Sequence, residues 1–83
     1  MEQYEFSTLK DFRKAYNAIR EIILIRHGYK KGDKVKLKNA VMLYQKFDDH
    51  WVKCNMIKSD MEDKIKMYEA CNKEVYFKLV SLV

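Results

Sequence analysis

Residues 37–82 read LKNAVMLYQKFDDHWVKCNMIKSDMEDKIKMYEACNKEVYFKLVSL. Steps of three and four through this stretch meet apolar or aromatic side chains at almost every stop, the exceptions being Lys58 and Asn72. The stops are Leu37, Ala40, Tyr44, Phe47, Trp51, Cys54, Lys58, Met61, Ile65, Tyr68, Asn72, Val75, Leu79 and Leu82. A 3-4 alternation of this length is typical of the contact seam of a packed helix or a coiled coil. The stretch therefore predicts a long helical element that organises the rest of the chain.

Helix-breaking residues are confined to one short segment. The chain has 83 residues, contains no proline, and has its two glycines at Gly28 and Gly32. Because proline and glycine disfavour helix interiors most strongly, this distribution predicts an all-α fold. Ser7 or Thr8 suits the N-cap of a first helix, and Thr8 with Asp11 three residues later resembles a capping box. Gly28 suits a left-handed residue just after the end of that helix.

The predicted architecture is a single domain over residues 1–83, a small bundle of three helices. The predicted elements are a lead-in at residues 1–6 and helices at 8–27, 34–57 and 60–82. Ser59 with Glu62 forms a capping-box pattern, which favours a break before the third helix. The 3-4 register nevertheless continues through that point without a skip. One short helix followed by one long kinked helix therefore stays an alternative.

Two further features bear on this architecture. Val35 and Leu37 alternate with lysines, so a short strand over residues 34–38 is an alternative to the start of the second helix. A chain of this length buries a limited core by itself, and the long seam therefore predicts a homo-oligomer. Asn72 within the seam would fix the register of such a contact, and the alternative is a partly exposed residue at the edge of the seam. The interface candidates are Tyr44, Phe47, Trp51, Ile65, Tyr68, Asn72 and Leu79.

The net charge of +5 is concentrated in residues 26–38, where the lone acidic residue is Asp33. Outside this segment the basic and acidic side chains balance. A basic turn beside a helix N-terminus can bind phosphate, and an aromatic ring there can stack on a base. The alternative is a solvated turn whose lysines confer solubility. The candidates for binding an anion or a nucleotide are Arg26, Tyr29, Lys30, Lys31, Lys34, Lys36 and Lys38.

Motifs for catalysis or metal binding are weak in this sequence. His50 and Cys54 would share one face of a helix, but a structural zinc site needs four ligands. The more ordinary interpretation makes Cys54 a small core residue and places His50 at the edge of the seam. No nucleophile triad, glycine-rich phosphate loop or HExxH-type motif is present. The sequence therefore predicts no catalytic residue, no metal and no cofactor.

One spacing resembles a known family. Six residues separate Arg20 from His27, which loosely matches the arginine-to-histidine signature of HEPN ribonucleases. The resemblance covers these two residues, with Glu21 at the position where that family has a polar residue. It implies an all-helical protein, usually dimeric, in which the arginine and the histidine cleave RNA at a helix end.

These features give three function hypotheses. The first is a small cytosolic protein without enzymatic activity that acts by binding a protein partner, such as a phage-type inhibitor or regulator of a host factor. The second is binding of a nucleic acid or a nucleotide through residues 26–38. The third is the HEPN-like ribonuclease. Two cysteines without a secretory signal favour a reducing cytoplasm, and no apolar run approaches the roughly 18 residues of a membrane span.

Overall fold

The computed structural model describes residues 2–26, Gly28 and residues 40–82. The elements in chain order are β1 (Gln3–Phe6), α1 (Leu9–Arg26), β2 (Val41–Phe47), β3 (His50–Cys54), α2 (Lys58–Ala70) and β4 (Phe77–Ser81). The strands form one antiparallel sheet in the order β1-β4-β2-β3. The fold is therefore α/β. The prediction of an all-α helical bundle with a coiled-coil seam is wrong, and so is its alternative with one long kinked helix.

The topology consists of two interlocked split βαβ units. β1 and β2 are parallel to each other, the chain between them contains α1, and β4 lies between them in the sheet. β3 and β4 are likewise parallel, the chain between them contains α2, and β2 lies between them. The two central strands, β4 and β2, thus come from different units, so the two units share one sheet.

The hydrophobic core lies between the two helices and one face of the sheet. α1 contributes a stripe of buried side chains, and α2 contributes Met61 and Ile65. Phe6 of β1 pairs with Phe77 of β4, and their rings stack with centroids 5.8 Å apart. Their other neighbours come from the helices, because Phe12 of α1 lies against Phe6 and Tyr68 of α2 lies against Phe77. Both helices therefore cover the same face of the sheet.

The first helix follows the sequence signals closely. The backbone N–H of Asp11 donates a hydrogen bond to Oγ1 of Thr8 over 3.2 Å, so Thr8 is the N-cap of the two predicted candidates, Ser7 and Thr8. Gly28 has φ of +69°, so the predicted left-handed residue after the helix is also confirmed. α1, from Leu9 to Arg26, lies within the span predicted for the first helix.

The second and third predicted helices are wrong over most of their length. The span 34–57 contains the β2–β3 hairpin, and the span 60–82 contains β4 after α2 has ended at Ala70. α2 itself begins before the predicted capping box, with Ile57 as an N-cap residue that makes no side-chain cap hydrogen bond. Oε2 of Glu62 instead lies 3.6 Å from Nη2 of Arg13 in α1, as an ion pair. The alternative strand at 34–38 lies outside the described residues.

Two turns explain why the absence of proline and the rarity of glycine misled the helical prediction. Asp48 begins the two-residue turn between β2 and β3 with φ of +53°. Asn72 follows the C-terminal end of α2 with the same φ. Aspartate and asparagine are among the few residue types other than glycine that readily adopt this left-handed conformation. The chain therefore reverses direction at both places without glycine or proline.

Candidate functional site

The sheet face that points away from the helices is here named the outer face. Side chains alternate along a strand, and residues paired across strands lie on the same face. Leu43 and Phe77 are buried beneath the helices, so Tyr44 and Lys78, the next residues along their strands, belong to the other side. The same alternation and pairing give the outer face its members, which are Gln3, Glu5, Met42, Tyr44, Lys46, Trp51, Lys53, Lys78 and Val80.

A cluster of lysines and aromatic rings occupies this face. Nζ of Lys78 lies 4.7 Å from the centroid of the Trp51 ring and 5.3 Å from the centroid of the Tyr44 ring. Nζ of Lys46 lies 5.8 Å from the Trp51 ring. Ammonium groups at such distances are attracted to the negative face of the ring. The two half-buried rings and these lysines therefore form one connected cluster.

Lysines and aromatic residues alternate in the strand register. Lys46 pairs with Trp51 across β2 and β3, while Tyr44 pairs with Lys53 on one side and with Lys78 on the other. Each lysine of this pattern is thus directly opposite a ring and not opposite another lysine, which limits repulsion between like charges. The single carboxylate among the outer-face residues is Glu5, opposite Lys78. The face consequently has a positive balance together with flat apolar surface.

The predicted interface residues do not form one seam. Tyr44 and Trp51 lie on the outer face, and Phe47 is exposed at the end of β2. Ile65 and Leu79 are fully buried in the core of this chain, with Tyr68 packed against Phe77 beside them. Asn72 is exposed in the turn after α2. The 3-4 periodicity therefore mixed residues from both faces of the sheet with residues of α2.

The predicted basic site is placed only in part. Arg26, at the end of α1, makes an ion pair with Glu2, with 2.9 Å between its Nη2 and the carboxylate Oε1. The other candidates, Tyr29, Lys30, Lys31, Lys34, Lys36 and Lys38, lie outside the described residues. An anion site in this segment therefore stays a prediction.

The metal and ribonuclease hypotheses rested on helical geometry. His50 and Cys54 are at opposite ends of β3, so their Cα atoms are about 13 Å apart rather than one helical turn apart. No group of three or more histidine, cysteine, aspartate or glutamate side chains suited to a metal occurs within residues 2–26 and 40–82. Arg20 is exposed on α1, and His27 lies outside the described residues. The all-helical fold that the HEPN resemblance implies is contradicted by the sheet.

A second feature is a cleft of about 500 Å³ at the end of the sheet, beside the C-terminal end of α2. Its lining includes Phe47, Tyr68, Tyr76 and Gln45. Gln45 is 1% exposed, and its Oε1 accepts no hydrogen bond from the described residues. A buried acceptor without a partner destabilises the folded state. The hydroxyl of Tyr76 donates a hydrogen bond to Oε1 of Glu74, and this bond raises the pKa of Tyr76.

The lysines of the outer face were missed by the sequence analysis. The signal that would have found them is the period of two in Tyr44-x-Lys46 and Trp51-x-Lys53 on either side of the Asp48–Asp49 turn. In a strand this spacing places each aromatic ring and its lysine on one face. A helical period disperses the same side chains.

Comparisons with protein-family models, curated proteins and solved structures gave no match. Within the described part of the chain, neither helix has the length and apolar character needed to cross a membrane.

Proposed function

We propose that this protein is a binding protein without catalytic activity that holds single-stranded nucleic acid on its outer face. The observation that carries the proposal is the position of the Lys78 ammonium, which the Trp51 and Tyr44 rings share. Lys78, Lys46 and Lys53 supply positive charge beside these two rings, on adjacent strands. This combination is typical of sheets that bind single strands.

The chemistry of the two components is complementary. Bases stack on aromatic rings whatever their identity, and lysine ammonium groups neutralise phosphates as point charges. The outer face has no arginine among its members, so it lacks the forked donors that read guanine in a bidentate way. We therefore expect binding with little sequence preference and with strong dependence on salt concentration.

The charge of the whole chain supports the same ligand class. The net charge is +5, and the excess lies in residues 26–38, which precede β2 in the sequence. A protein of positive net charge attracts a polyanion over distances comparable with the Debye length. The proposal includes a cytosolic location, which is supported by the two free cysteines, Cys54 and Cys71.

The test is the fluorescence anisotropy of a labelled single-stranded oligonucleotide, titrated at several salt concentrations. Trp51 is the only tryptophan of the chain, so quenching of its emission by a stacked base reports on the site directly. We expect Lys78→Met to weaken binding. The slope of log affinity against log salt concentration should also fall by about the amount that one phosphate contact contributes. Lys66→Met removes the same charge from an exposed position on α2 and is the matched control.

The expected pattern is loss of affinity with Lys78→Met and with Trp51→Leu, and no comparable loss with Lys66→Met. Equal effects of the two lysine substitutions would show that only net charge matters, and the outer-face site would be rejected. Absence of any salt-dependent binding to a single strand would reject nucleic acid as the ligand.

A protein partner is the second candidate function. Trp51 and Tyr44 are half-buried on the outer face, with Met42 beside them, and these three residue types are enriched at protein interfaces. A partner with an acidic surface would complement the lysines, and the protein would act as an inhibitor or regulator by occupying that surface. Displacement of such a partner by an excess of oligonucleotide would show that it uses the same residues of the outer face.

A further inference from the structure

β3 lies at an edge of the sheet, and no described strand pairs with its outer side. Its sequence is His50–Cys54, and it contains neither a proline nor a bulge in its pairing with β2. Natural proteins usually protect such an edge, because its unpaired N–H and C=O groups can pair with another strand. The identity of the residues whose backbone groups point outward is therefore informative.

The hydrogen bonds of β2 determine which residues these are. The backbone N–H of Lys46 donates to the carbonyl of Tyr76 on the β4 side, over 2.8 Å. Successive residues of a strand direct their backbone groups to opposite sides, so Gln45 bonds towards β3, where Val52 is its partner. Val52 therefore bonds towards β2, and its neighbours Trp51 and Lys53 direct their backbone N–H and C=O groups outward.

We propose that β3 pairs with β3 of a second copy of this chain, antiparallel and with Val52 on the two-fold axis. In this register Trp51 of one copy lies opposite Lys53 of the other and exchanges both backbone hydrogen bonds with it. The two-fold axis repeats the pair, so the outward backbone N–H and C=O groups of Trp51 and Lys53 have hydrogen-bond partners in both copies. An interface of this kind is closed and stops at a dimer.

The side chains fit the same register. Trp51 and Lys53 both belong to the outer face, so the dimer places a ring opposite an ammonium group, as the chain itself does with Lys46 and Trp51. On the other face Val52, which is 46% exposed, meets its own symmetry copy. Opposed β-branched side chains are favourable in cross-strand pairs. The pairing thus covers an apolar side chain that the single chain leaves exposed.

The dimer has one continuous sheet of eight strands. Its rows of outer-face residues run across both copies, with Lys78, Tyr44 and Lys53 of one copy followed by Trp51 and Lys46 of the other. The alternation of lysine and ring is unbroken at the junction. This assignment does not depend on the ligand of the outer face and is tested without it.

The other edge of the sheet offers a competing arrangement. β1 has four residues, and a copy that joined its β1 to β3 of a neighbour would create open chains of molecules rather than dimers. The outer-face residues of β1 are Gln3 and Glu5, so β1 offers Trp51 no lysine, whereas the two-fold register places Lys53 opposite it. We therefore favour the closed pair, and growth beyond the dimer is an outcome that would reject it.

Light scattering measures the mass of the purified protein in solution. We expect twice the chain mass of 10.1 kDa for the wild type. Val52→Lys places like charges opposite each other on the axis, and we expect the mass to fall by half. Val52→Thr keeps a β-branched residue and is the matched control, which should stay dimeric. Circular dichroism verifies that each variant retains its sheet.

A cross-linking experiment decides the register even if Val52→Lys prevents folding. Residues paired on the two-fold axis without hydrogen bonds have Cα atoms about 4.5 Å apart, which is within the range of a disulfide. In a Cys71→Ser background, Val52→Cys should give a covalent dimer under mild oxidation. Lys66→Cys, exposed on α2, should not. A monomeric wild type, larger assemblies, or equal cross-linking of both variants would overturn the proposal.

Discussion

Nζ of Lys78 lies 4.7 Å from the centroid of the Trp51 ring, although β4 and β3 are separated by β2. The lysine side chain therefore reaches across a whole strand, passing the Tyr44 ring on the way. Its alkyl part covers apolar surface while its ammonium stays at the face, which is a common arrangement for lysine. This single side chain connects the two aromatic rings of the outer face.

Lys78→Met should lower the free energy of unfolding by about 0.5–1 kcal/mol, because one ammonium group interacts with two rings. The environment of Trp51 changes as well, so we expect a shift of its fluorescence emission. Urea denaturation of the variant measures the first effect and the emission spectrum the second. Lys66→Met should leave both unchanged, and a similar change in that control would contradict the interaction.

Gln45→Met should stabilise the protein by about 1 kcal/mol. The substitution retains the length of the side chain and removes the buried Oε1 that has no hydrogen-bond partner among the described residues. Thermal or urea unfolding measures the gain. Gln45→Glu, which would bury a charge at the same place, should destabilise the protein. A loss of stability with Gln45→Met would show that the amide has a partner in solution.

Ile65→Ala should destabilise the protein by about 3 kcal/mol, because Ile65 is fully buried between α2 and the sheet. Met67→Ala, two residues further along the same helix, should change the stability by less than about 0.5 kcal/mol, because Met67 is 54% exposed. Urea denaturation of both variants provides the comparison. Equal losses would contradict the orientation of α2.

The stability should decline in alkaline solution. Burial raises the pKa of Tyr16, and the hydrogen bond to Glu74 raises that of Tyr76, both above the ordinary value of 10.0. A raised pKa means that folding favours the neutral phenol, so this contribution is complete below pH 10 and is lost as the pH rises through the folded-state pKa. Absorbance at the tyrosinate band should show Glu74→Gln lowering the pKa of Tyr76 and leaving that of Tyr16 unchanged.

Asp48→Val should destabilise the β2–β3 hairpin by about 1–2 kcal/mol, because a β-branched residue is strained at φ of +53°. Asp48→Gly should not destabilise it, since glycine adopts this conformation freely. Thermal unfolding measures both. If valine were tolerated as well as glycine, the left-handed conformation at Asp48 would be wrong.

The first helix was predictable because its signals are local. Thr8 and Gly28 lie at its two ends, and its buried residues repeat at the helical period on one face. No partner elsewhere in the chain is needed to explain these signals. The interpretation of residues 1–6 as a lead-in failed for the opposite reason, because β1 becomes a strand only through its pairing with β4.

The error over residues 37–82 has a similar physical cause. Steps of three and four include both odd and even positions, so an apolar residue from either face of a strand extends the apparent helical seam. Tyr44 and Trp51 belong to the outer face, whereas Cys54 belongs to the core. Gln45, polar but buried, also interrupts the alternation that would have indicated β2. The cluster of lysines and rings depends on the strand register, so a helical interpretation of the same residues could not predict it.

Gln3 pairs with Val80, 77 positions later in the chain, and β4 occupies the middle of the sheet. During synthesis, β1 and β2 therefore emerge from the ribosome long before the strand that lies between them. Until residues 77–81 have left the exit tunnel, the chain lacks the strand that pairs with both β1 and β2. Because β1 is a strand only when it is paired with β4, the native sheet is completed only when β4 pairs with both β1 and β2, after residues 77–81 have been synthesised.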